Sequence, residues 1–196
     1  MINAFDTLLD EVRGCTYCAS QLPLEPKQVI QLHPGARNLI AGQAPGLKVH
    51  ETGIPFNDAS GNRLRDWMGI SAELFYDAEK TAILPMGFCY PGKGPSGDLP
   101  PRPECAELWR HRLLELISNI QLTLLVGQYA QNWHLGEGRK INLTETVRAW
   151  REFWPELLPL PHPSPRNNGW LKLNPWFEEE VLPKLRSRIA EIYSHL

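Results

Sequence analysis

Two short stretches hold residues whose types and spacing can do chemistry: Gly42-Gln43-Ala44-Pro45-Gly46 and His162-Pro163-Ser164-Pro165-Arg166-Asn167-Asn168. The first offers a glycine-rich backbone that can approach a ligand closely, together with an amide side chain. The second offers an imidazole, which donates or accepts a proton near neutral pH. Each follows an apolar run that reads as a buried strand, Leu39-Ile40-Ala41 and Leu157-Leu158-Pro159-Leu160. In an open parallel α/β sheet, the loops at the carboxyl ends of the strands meet at one ligand crevice. Loops more than a hundred residues apart in sequence can therefore face the same small molecule.

Four cysteines form a second group. Cys15 and Cys18 are separated by two residues, so both thiolates can reach one metal centre from a tight turn. Cys89 and Cys105 follow on either side of a proline- and glycine-rich stretch. Four soft sulfur ligands suit zinc or an iron–sulfur cluster. A redox Cys-x-x-Cys is an alternative that leaves Cys89 and Cys105 unexplained, and four independent cysteines are another. A reducing compartment argues against disulfides.

The elements that must position these residues alternate. Ile2, Phe5, Leu8, Leu9 and Val12 have helical spacing over 2–14. Strands are expected at 37–41, 81–86, 122–126 and 157–160. Helices are expected at 61–69, 71–78, 104–120, after Gly127-Gln128, at 143–154 and at 174–193. Alternation of this kind predicts parallel βαβ units, hence a three-layer α/β/α sandwich around a central four-stranded parallel sheet. At 196 residues, 1–196 is expected to form one domain.

The composition excludes several classes. A net charge of -2 provides no global basic field, so any nucleic-acid contact must come from a local patch. No apolar stretch is long enough for a bilayer, and the amino terminus lacks a signal-peptide layout. A cytoplasmic monomer is the expectation. Of the 18 prolines, ten cluster at 91–103 and 155–165, between regular elements, and read as ordered loops.

With these motifs assembled, the chain resembles the uracil-DNA glycosylase superfamily, most closely its iron–sulfur branch, from Cys15 to about Asn168. The resemblance rests on Cys15, Cys18, Cys89 and Cys105, on Gly42-Gln43-Ala44-Pro45-Gly46 with Gly53-Ile54-Pro55-Phe56, and on His162-Pro163-Ser164-Pro165-Arg166-Asn167. It implies an enzyme that hydrolyses the N-glycosidic bond of uracil, or of a related damaged base, in DNA. It also implies a structural 4Fe-4S cluster on the four cysteines, with zinc as the alternative. His162 is expected to stabilise the departing base, and Phe56 to stack on it alongside Gly42, Ala44 and Asn57. Gln43 is expected to orient base or water. Arg166, Asn167, Asn168 and Lys48 are expected to contact DNA, and Arg63 and Arg65 stand either near phosphates or on a solvated helix face.

The sequence departs from the family pattern at two points. The first loop carries Gln43 and Ala44 where related branches have a carboxylate. Asp58 is the nearest replacement as general base, with Glu51 and His50 behind it, although Asp58 can equally cap the helix that follows. Met86 stands where an asparagine is expected to read the uracil edge, and a thioether makes no paired donor–acceptor contacts. Asn57 or the backbone around Gly87-Phe88 are the substitutes. A non-catalytic DNA- or base-binding module on the same fold, and a metal sensor, are the competing functions.

Overall fold

The computed structural model describes residues 3–194. The first helix, α1 (Ala4–Arg13), starts where Asn3 Oδ1 accepts from the Asp6 backbone N–H at 2.8 Å, and it buries Phe5, Leu8, Leu9 and Val12. Ile2, expected in this helix, lies outside the described residues. Next come β1 (Asn38–Ala41), α2 (Leu47–Thr52), α3 (Ala59–Met68), α4 (Ala72–Tyr76) and β2 (Thr81–Ile83). A small antiparallel hairpin, β3 (Lys93–Gly94) and β4 (Gly97–Asp98), interrupts the proline-rich segment.

The long helix expected at 104–120 spans 103–115. It is α-helical at α5 (Pro103–Cys105) and α6 (His111–Glu115), with a π-helical turn at Ala106–Arg110. β5 (Leu122–Val126), α7 (Gln128–Leu135) and α8 (Leu143–Arg148) follow. The chain ends with β6 (Leu157–Leu160), α9 (Asn168–Leu173), a π-helical turn at Phe177–Val181 and α10 (Leu182–Ser194). The helix expected at 143–154 stops early and continues as a single 3-10 turn at Trp150–Glu152.

The main sheet has the order β2-β1-β5-β6, and every pairing in it is parallel. Strand alternation sorts its side chains onto two faces. Ile40, Ile83, Leu124 and Leu158 share a core cluster with Leu64 and Met68 of α3 and Leu185 and Ile189 of α10. Leu39, Ala82 and Leu84 face the other way, packing with α1 and with Leu113 and Ile117. The result is the expected three-layer α/β/α arrangement.

β2 is shorter than the expected 81–86 because Pro85 has no N–H to donate. The parallel ladder nevertheless continues beyond it, with Leu84 donating to Ile40 O at 3.0 Å and Met86 to Gly42 O at 2.9 Å. β1 connects to β2 on one side of it, and β5 connects to β6 on the other. The crevice between β1 and β5 is thus the switch point where such sheets take ligands.

Candidate functional site

A cavity of about 500 Å³ opens at the carboxyl ends of the strands. Its wall includes Gly42, Gln43 and Ala44 from the loop after β1, Phe56 and Asp58 ahead of α3, and His162, Arg166 and Asn167 from the loop after β6. The two distant loops therefore face one space. Lys48, Asn57 and Asn168 are not on this wall. Lys48 is exposed on α2, and Asn168 Oδ1 accepts from Arg63 at 2.8 Å.

His162 is held in one orientation. The Ser164 backbone N–H donates to its Nδ1 at 3.2 Å, so the ring proton belongs on Nε2. The Asn167 side-chain amide donates to the His162 carbonyl at 2.7 Å. Burial pushes the imidazole pKa below its ordinary 6.5, while the charges of Asp58 and Asp98 act in the opposite direction. A neutral imidazole with Nε2–H as its free donor results. Arg63, which sequence spacing left undecided, braces this loop by donating to Ser164 O at 3.1 Å.

Phe56 is held against its own backbone preference. Its φ is 53°, in the left-handed region that bulky residues rarely occupy. A Cβ on Gly42 would lie 3.3 Å from the ring edge, so the first loop packs close against that edge. Phe75 meets the ring edge-on at 6.1 Å, and the Tyr76 hydroxyl donates to Phe56 O at 3.4 Å. Arg65 in turn donates to Tyr76 Oη at 3.2 Å and lies over both aromatic rings. Arg65 thus supports the wall from behind rather than standing on a solvated face.

Asp58 is the N-cap of α3, and its Oδ1 accepts from Gly61 N at 2.8 Å. It lines the cavity as well, so the cap and the wall position coexist. Glu51 and His50 are not on the wall; His50 tilts against Tyr90 with ring centroids 6.2 Å apart. The backbone substitutes for Met86 are already engaged: Gly87 N–H donates to Gln43 O at 2.9 Å and Phe88 N–H to Cys105 Sγ at 3.5 Å. Met86 itself is buried in a core cluster with Ala41 and Leu125.

With this geometry in place, a comparison with known families is decisive: the family model described as the Uracil DNA glycosylase superfamily matches residues 30–186. The chain belongs to that superfamily. Membership accounts for the α/β fold and points to a glycosylase that acts on DNA. No described helix is long and apolar enough to cross a membrane.

Three wall groups of this glycosylase fold escaped sequence reasoning. Tyr129 enters from the first turn of α7, a segment read from the sequence only as a helix. Ser96 and Asp98 arrive on the β3–β4 hairpin, whose two-residue strands leave no alternation to detect. Arg166 reaches this hairpin, donating to Ser96 O at 2.9 Å.

The four cysteines also converge. Cys15, Cys18, Cys89 and Cys105 line one small cavity with Gln28, Arg102 and Trp109. None of the four is in a disulfide, and burial pushes the Cys89 thiol up to about 11 and that of Cys105 up to about 12. Among the described residues, no three His, Cys, Asp or Glu side chains are grouped tightly enough to hold a single metal ion. Four thiols are the donor type that zinc and iron–sulfur clusters take.

Proposed function

We propose that the protein is a DNA-repair glycosylase that hydrolyses the N-glycosidic bond of uracil or a related damaged base. The observation that carries this is the placement of a neutral, Nε2-protonated His162 and the aromatic ring of Phe56 on one cavity wall. A base in DNA must leave the stack to be processed, and a pocket that stacks it repays part of that cost. Phe56 offers the π face, a contact of about 1–3 kcal/mol per base in comparable sites.

As the bond to the sugar breaks, negative charge develops on the departing ring. A preorganised neutral donor at that point stabilises it without having to lose a proton. His162 Nε2–H is that donor in this proposal. The Gln43 amide, already donating to Leu99 O at 3.4 Å, orients the base or the water. Because Met86 is buried and the N–H groups of Gly87 and Phe88 are engaged, the uracil-reading amide of related enzymes has no direct counterpart here. The proposal therefore extends to other damaged bases. Arg166, at the cavity mouth, and Lys48 supply backbone contacts that salt weakens.

Cys15, Cys18, Cys89 and Cys105 suit a 4Fe-4S cluster, with zinc as the alternative. When bound, such a centre would tie the amino-terminal segment to the 89–105 segment and take no part in hydrolysis.

Single- and double-stranded oligonucleotides carrying uracil, hypoxanthine or xanthine test the proposal in a strand-cleavage assay. The expected result is excision of at least one base and its loss in His162→Ala. No excision of any base, with binding unchanged in His162→Ala, would overturn it. The absence of a carboxylate from the 42–46 loop favours a second reading, binding without turnover, and measuring binding on the same oligonucleotides separates the two.

A further inference from the structure

Resting on the glycosylase reading, we infer that Asp98, carried into the cavity by the β3–β4 hairpin, is the carboxylate that activates the attacking water. The loop after β1 holds none, since its second and third positions are Gln43 and Ala44. Among the described residues, the carboxylates on the cavity wall are Asp58 and Asp98. Asp58 directs one oxygen to the amino terminus of α3. Asp98 ends a two-residue strand and caps no helix.

Its position compensates for the gap in the first loop. A Cβ on Gly46 would stand 3.2 Å from Asp98 Oδ2, so the carboxylate lies directly against the loop that lacks one. Asp98 is also near enough to His162 for its charge to act on the imidazole. The hairpin is secured from both loops of the site. Arg166, four residues after His162, donates to Ser96 O at 2.9 Å, and its guanidinium occupies the space a Cβ on Gly97 would need. On the other side Gln43 donates to Leu99 O, next to Asp98. Gln43 is thus a positioning residue for the carboxylate, not its replacement.

In the step itself, the water oxygen bonds to the anomeric carbon as the carbon–nitrogen bond breaks, and the bond's electron pair leaves with the base. Asp98 takes the water proton, and His162 Nε2–H steadies the base anion, which then gains a proton from solvent. Loss of a positioned general base costs typically about 10²–10⁴-fold in rate.

Single-turnover excision, measured on the best substrate from the oligonucleotide panel, tests the inference with Asp98→Asn, Asp98→Ala and Lys93→Ala. Asp98→Asn should slow excision by about 10²-fold or more with DNA affinity within a few-fold of the parent. Formate should restore part of the rate to Asp98→Ala, which a purely structural role does not predict. Lys93→Ala, altering the residue that pairs with Asp98 in the hairpin, should leave the rate within a few-fold. An Asp98→Asn rate within threefold of the parent, or a loss equalled by Lys93→Ala and unmoved by formate, overturns the inference while the glycosylase reading stands. A parent protein that excises nothing overturns both, and the two failures are thereby distinct.

Discussion

A Cβ placed on Gly61 would lie 1.7 Å from the carbonyl oxygen of Phe56, so the first turn of α3 closes directly over the strained residue that walls the cavity. No L-residue other than glycine fits at position 61 without moving Phe56. The strain at Phe56 persists because its surroundings determine it: Gly42 at the tip of the ring, Phe75 packed edge-to-face with it and the Tyr76 hydroxyl on its carbonyl. Gly61→Ala should therefore destabilise the fold by roughly 1–3 kcal/mol, the usual cost of overpacking. It should also weaken base binding more than the stability loss alone explains. Urea denaturation and binding of a base-flipped oligonucleotide check both; an unchanged denaturation midpoint would refute the steric account.

Two half-buried histidines shape the acid side of the stability curve. His162 is held below its ordinary 6.5, and His134, which shares a 2.8 Å hydrogen bond with Arg110, is pushed down to about 3. In both, burial is the leading cause. The unfolded chain takes up protons on these rings as pH falls through about 6.5, whereas the folded chain does not. Stability contributed by the neutral rings is thus complete above about 6.5 and falls as pH drops below it. The denaturation midpoint should decrease from pH 7 to pH 5, and His134→Asn should flatten that decrease. A His162 ring signal that titrates at or above 6.5 by NMR would contradict the neutral-donor assignment.

The sheet was legible because its strands are short apolar runs separated by helical periodicity, and strand ends in such a sheet must converge. That logic alone places the 42–46 and 162–168 loops together. Asp58 as a helix cap was legible as well, from an acidic residue preceding Ala59-Ser60-Gly61. The hairpin was not. Two-residue strands in a Pro-Gly-rich segment have no hydrophobic period, and their pairing depends on Gly97 at φ 138° and on Arg166 from 70 residues away. Arg63 was hidden for a similar reason: its partners, Ser164 and Asn168, lie 101 and 105 residues along the chain.

The Arg166 contact makes the hairpin dependent on the second loop. Its donor reaches a backbone carbonyl at an exposed turn, so the energetic effect of removing it is small, within about 0.5 kcal/mol for a surface change. The local effect is larger. Arg166→Ala should accelerate hydrogen exchange across 91–100, where the Leu99 amide is bonded to Gly92 O at 2.8 Å, while exchange in β1 and β5 stays unchanged. Equal exchange in the two proteins would show that the hairpin holds its position without the arginine.

The cysteine cavity joins two segments that also meet where α1 packs with Phe88 and where Arg102 donates to Gln21. Cys15 and Cys18 follow α1, whereas Cys89 and Cys105 flank the segment that carries the hairpin and Asp98. If a 4Fe-4S cluster occupies the cavity, anaerobically purified protein should be brown with visible absorption, and Cys105→Ala should lose both colour and thermal stability. Because the same segment delivers Asp98, the variant should also lose excision activity faster than it loses DNA affinity. Colourless protein carrying stoichiometric zinc would replace the cluster with the alternative ion. Colourless, metal-free protein whose melting point is unaffected by Cys105→Ala would show that the four thiols simply pack against one another.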